Sequence, residues 1–197
     1  MNPVKLLLGF LPWLLYSVLT DLPIDGIAGP AAILATVVSV VLLLVNRKNG
    51  ISIIDATSAV VFGALTVVAF AGGAEWIHDY GRATSAVVLA VVMLISSVTV
   101  PFSEQYARSS VPQQYWGSPI FRAKNRRISA LWGFTMLIMT GSHLLATFLL
   151  EEGTTAGQFL LNWLVPALLV VLAVKQTKRM SGDHVEQASA GAATTGR

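Results

Sequence analysis

The sequence predicts an all-α fold, a polytopic bundle of six transmembrane helices, and three observations lead there. Its 197 residues are 54% hydrophobic and only 12% charged, a composition too apolar for an ordinary soluble domain. The apolar residues run in whole windows instead of single stripes, so a helix built from them is apolar on every face. Lys and Arg gather in alternate connections, as topology determinants do.

Crossing the hydrocarbon core takes about 20 helical residues at roughly 1.5 Å each. Windows of that kind lie at 3–20, 27–45, 51–71, 83–100, 128–150 and 158–174. The first is the weakest, because Pro12 in its middle removes a helical hydrogen bond; membrane helices tolerate this where a neighbour compensates. A five-span bundle with a peripheral first segment is the alternative. That segment carries one cation, Lys5, and no small-x-small cleavage site before Thr20 and Asp21, so it is expected to be kept and not removed as a signal peptide.

Asp25-Gly26, Asn49-Gly50 and Gly72-Gly73 follow the first three windows, and such short turn signals make successive helices antiparallel neighbours. Between the fourth and fifth windows the connection 101–127 is long and polar and holds Pro101, Pro112 and Pro119. Residues 181–197 are rich in Ala, Gly, Thr and Ser without apolar periodicity. They bury too little to offset ordering entropy, so a disordered cytoplasmic tail is expected after a single transmembrane domain, 1–180.

A net charge of +3 does not point to nucleic acid here, because the cations sit in short connections and form no single basic face. With six spans, Lys5, Arg47, Lys48, Arg108, Arg122, Lys124, Arg126, Arg127, Lys175, Lys178, Arg179 and Arg197 all share one side. Arg82 alone joins Asp21, Asp25, Glu75, Asp79, Glu151 and Glu152 on the other. Cations mark the cytoplasmic side, which predicts a multi-pass protein of the cell inner membrane with both termini in the cytoplasm. Cysteine is absent, which excludes disulfides, thiolate metal sites and cysteine nucleophiles. Three plus three spans would give halves of opposite orientation, as in inverted-repeat transporters, although no repeat is visible.

Polar residues inside the windows are candidates for function. Asp55 lies one turn into the third, within reach of headgroups, water, Arg47 or Lys48; alternatively it is a helix-start acid favoured by the N-terminal dipole. His143 and Asn162 fall on the same side of the fifth and sixth windows and can meet, as a proton-responsive or substrate-binding pair or as a packing hydrogen bond. Small residues four apart, Ala59 with Gly63 and Ser129 with Gly133, permit close helix approach. Trp13, Trp76, Trp116, Trp132 and Trp163 mostly fall near window ends, where indoles anchor at headgroup level.

The connection 101–127 interleaves aromatic residues with cations. Tyr106, Tyr115 and Trp116 would anchor it, while Arg108, Arg122, Lys124, Arg126 and Arg127 meet anionic headgroups or an acidic partner; the plainer reading is a positive-inside connector. No phosphate-cradling glycine loop, HExxH site or GxSxG elbow occurs. His78, His143 and His184 do not space as metal or haem ligands, and nothing pairs Ser103 or Glu104 with a base. No cofactor and no catalytic activity are expected.

Phe10-Leu11-Pro12 is similar to the Phe-Leu-Pro of the bacterial intracellular septation protein A family. Val61-Phe62-Gly63-Ala64-Leu65-Thr66 resembles that family's Val-Phe-Gly-Gly-Leu-Thr, and Val111-Pro112, Trp116, Asn125 and Trp132 resemble the residues leading into its next-to-last span. The wide spacing of Trp116, Asn125 and Trp132, and the segment Ser103-Glu104-Gln105-Tyr106, depart from the family pattern. The resemblance implies a non-enzymatic role in septation or envelope maintenance, through contacts with other membrane proteins, and no catalytic residues. The competing expectation is a small transporter or channel, active as an oligomer, with Thr66, His143 and Asn162 lining a hydrated midplane cavity. A membrane enzyme with an acid/base pair at the cytoplasmic face is the third.

Overall fold

The computed structural model describes residues 7–47, 50–108, 111–150 and 155–194, with side chains as far as residue 181. The described residues form an all-α bundle without strands: α1 (Leu11–Thr20), α2 (Ala28–Asn46), α3 (Ile53–Val68), α4 (Ala74–Val98), α5 (Phe102–Ala107), α6 (Pro119–Leu149), α7 (Thr155–Phe159) and α8 (Val165–Thr194). π-helical turns at Ala69–Gly73 and Leu160–Leu164 join α3 to α4 and α7 to α8.

Four stretches are long and apolar enough to cross a membrane by length and composition: Ala28–Asn46, Ile53–Val98, Pro119–Leu149 and Thr155–Ser181. They are compatible with a multi-pass membrane protein. The second has 46 residues and, if straight, would reach about 69 Å, over twice the roughly 30 Å hydrocarbon core. It folds back instead at Gly72, whose φ of 99° suits a residue without Cβ. The return is fixed by Gln105, beyond the end of α4, which donates to the Ile51 carbonyl at 2.8 Å and accepts from the Ile53 amide at 3.0 Å. Windows 51–71 and 83–100 are thus the two legs of one hairpin.

The expected first span, 3–20, starts outside the described residues, as does Lys5; the helix that is described, α1, has 10 residues and reaches only about 15 Å. Lys48, Asn49, Glu151, Glu152 and Arg197 also lie outside them.

Residues 101–127 are mostly helical: α5, a 3-10 turn at Gln113–Tyr115, and the start of α6. Ser118 accepts from the Phe121 amide at 3.2 Å and Pro119 presets the first turn, so α6 begins well before the apolar window at 128. At the other end, the α8 backbone is helical to Thr194. An Ala-rich stretch has backbone propensity for helix even where its pattern offers no apolar face.

Two apolar clusters organise the bundle. One collects Ile54, Leu89, Met93, Phe102, Ile128 and Trp132, where α3, α4, α5 and α6 meet. The other collects Tyr16, Ala28, Ala32, Phe62, Leu65 and Ile77, where α1, α2, α3 and the start of α4 meet, and Trp13 packs against both. Alanines 28, 31, 32 and 35 give α2 a smooth face toward α3, which lets the helices approach closely. Elsewhere Val45, Val60, Val67, Phe70 and Val98 are largely exposed. Apolar exposure on this scale suits a lipid environment.

Candidate functional site

The short helix α5 is held from two sides at the basic end of the bundle. Toward α6, the fully buried Ser103 hydroxyl donates to the Asn125 carbonyl and side-chain oxygens, both at 2.9 Å. Ser129 donates to Ser103 at 3.2 Å, and Asn125 donates to the Phe121 carbonyl at 2.9 Å, so every polar group in this buried set has a partner. Toward α3, besides Gln105, the Tyr106 and Ser52 hydroxyls lie 3.0 Å apart. Burial pushes the Tyr106 phenol up to about 12; the Ser52 contact opposes this and the Asp55 carboxylate adds to it.

Clamped this way, α5 presents Glu104, itself buried, to a cleft of about 240 Å³ lined by Thr99, Val100, Pro101, Glu104, Arg108, Arg122 and Arg126. Arg108 reaches Glu104 at 3.4 Å and lies 5.0 Å from the centre of the Trp116 ring. Its guanidinium is thus held between a carboxylate and a π face, each contact modest because the side chain is 45% exposed. Arg122 and Arg126, four apart on the first turns of α6, are exposed and have no acidic partner among the described residues.

Other residues of 101–127 are placed differently. Tyr106, expected as an interfacial anchor, is buried in the bundle, where its hydroxyl has the Ser52 hydroxyl as a partner. Lys124 donates to the Ser181 carbonyl at 3.1 Å and ties α6 to α8. Trp116 is half-buried and donates to Val111 at 2.8 Å, whereas Tyr115 is 52% exposed and Arg127 is exposed. Trp132, read as a headgroup anchor, is fully buried, stacked on Phe10 at 5.3 Å and donating to Thr177 at 3.1 Å.

The polar residues within the helices pair off locally. Asp55 turns inward at 2% exposure and accepts from Asn46 at 2.9 Å, with no described cation in contact; Ser52 caps α3 through the Asp55 amide. Thr66 meets Thr36 at 3.2 Å across α2 and α3. His143 Nδ1 and Asn162 Oδ1 lie 2.9 Å apart, bringing together the pair the sequence suggested, and Asn162 donates on to Gln158 at 2.8 Å.

Sequence reading missed the cluster at the acidic end. Arg82 donates to the Ser17 carbonyl at 2.7 Å, to Thr20 and to Asp21, and Trp163 donates to Asp21, so one guanidinium closes the end of α1 and binds it to α4 and the α7–α8 turn. Only the isolation of Arg82 among acids hinted at it. Among the described residues no three His, Asp or Glu side chains gather as a metal site.

No family model matches this chain, nor does any curated protein sequence or solved structure.

Proposed function

We propose that this chain is an inner-membrane protein with both termini in the cytoplasm. It acts in the cell envelope as a scaffold or interaction component and not as a catalyst. Residues 101–127 are its contact face, toward anionic headgroups and toward acidic stretches of other membrane proteins of the envelope machinery, including further copies of itself. The observation that carries this reading is the convergence of Arg108, Arg122 and Arg126 on one cleft, while Asp55, Thr66, His143 and Asn162 are each engaged by a nearby polar partner. Polar groups so paired support a packing role over a transport path, because Thr66 and His143 belong to separate pairs on different helices. The resemblance to septation protein A supports septation or envelope maintenance as the process served.

Photocrosslinking in cells from position 115, where Tyr115 is exposed, tests this. Anionic lipid and a recurrent membrane protein are the expected captures, and reversing the charge of Arg122, Lys124, Arg126 and Arg127 should abolish both. An unchanged set of captured molecules would remove the contact face.

A further inference from the structure

We propose that the cleft between Glu104, Arg108, Arg122 and Arg126 binds one phosphate group, the phosphodiester of an anionic membrane lipid. The inference rests on reading 101–127 as a contact face, and adds to it a discrete site with a fixed occupancy of one.

The charge arithmetic favours one anion. Three guanidinium groups and one carboxylate line the cleft, and Arg108 is already turned toward Glu104 and Trp116. Arg122 and Arg126 remain, spaced four apart on one helix face, which sets their guanidinium groups side by side. Planar, multi-donor guanidinium groups match phosphate oxygens. Arg122 also sits in the first turn of the 31-residue α6, where the helix dipole favours an anion. Two features oppose this: the Glu104 carboxylate, and the carbonyl end of α4, which runs into Thr99 on the facing wall. They lower the cleft's net charge and exclude a large polyanion.

Size and surroundings identify the source of the phosphate. At about 240 Å³ the cleft is smaller than the roughly 300 Å³ at which sites for drug-sized molecules begin, so it suits a headgroup and not a whole metabolite. Val100, exposed at 59%, lines it, and Val98, two residues earlier in the chain, is exposed at 72%; exposed apolar side chains beside a basic cleft suit acyl chains beside a phosphate.

The test uses the full-length protein purified in detergent, with phosphatidylglycerol or phosphatidylcholine added and bound lipid counted by native mass spectrometry. The protein should retain one phosphatidylglycerol in preference to phosphatidylcholine, whose cationic choline is repelled. Arg122→Gln with Arg126→Gln should weaken retention roughly tenfold or more, the loss expected for charged hydrogen bonds. Arg47→Gln with Arg179→Gln removes the same charge from exposed positions outside the cleft and should leave retention unchanged. Glu104→Gln should increase retention by releasing Arg108, a gain that a folding defect cannot mimic. Equal weakening by the two double variants, or loss in Glu104→Gln, would overturn the site. Displacement of the lipid by equimolar inorganic phosphate would overturn the lipid assignment. Lipid still captured from position 115, with retention unaltered in Arg122→Gln/Arg126→Gln, would remove the pocket and leave the contact face standing.

Discussion

Glycine positions in this bundle differ in what an added methyl would meet, and stability should follow. At Gly133 a Cβ would lie 2.7 Å from Leu94 Cγ and 3.1 Å from its backbone nitrogen; at Gly81 it would strike the Tyr16 ring and displace the hydroxyl that donates to the Ile77 carbonyl. Gly81→Ala and Gly133→Ala should each destabilise by about 1–3 kcal/mol, the range for overpacking, read by thermal unfolding in detergent. Gly63→Ala should be neutral or slightly stabilising, because its nearest neighbour is 4.0 Å away and Ala favours helix by roughly 0.5–1 kcal/mol. Tyr106 gives a pH signature. Its phenol is raised from 10.0 to about 12, so the fold favours the neutral form. That contribution is whole below pH 10.0 and falls away as pH rises toward about 12. Unfolding across this interval should show an alkaline loss in the wild type that is smaller in Tyr106→Phe.

At the level of elements, α5 behaves as a latch across the open ends of the α3–α4 hairpin. Gln105→Ala removes both hydrogen bonds, to Ile51 and to Ile53 at the start of α3, and should destabilise by roughly 0.5–1.5 kcal/mol per bond, with faster amide exchange in α5. Gln113→Ala, exposed in the 3-10 turn, should leave exchange in α5 unaltered. The hairpin itself was legible, because apolar windows and Gly72-Gly73 are local signals of composition and turn chemistry. The latch was not. Ser103 and Gln105 look like ordinary polar loop residues, and their partners lie 22 and 52 to 54 positions away. Trp132 was misread for the same reason: an indole near a window end fits the interface, and only the Thr177 hydroxyl, 45 positions further on, allows it to be buried. Of the candidate site, the basic residues were visible as a cluster, while the cleft they share depends on how α5 docks.

For the whole molecule, the lopsided charge makes a topological prediction that the absence of native cysteine renders simple to check. A single cysteine at Gln114 should resist a membrane-impermeant thiol reagent in intact cells, and one at Asp25 should react. Reversal of that pattern would invert the orientation. Trp13 touches both apolar clusters and Phe10 stacks on Trp132, so the first segment is a wedge between the halves of the bundle. Wedges of this kind need no covalent continuity. If the chain were severed between Asp21 and Ala28 and the two fragments co-expressed, the short one should seat itself in the slot left by its absence and restore the parent's detergent resistance.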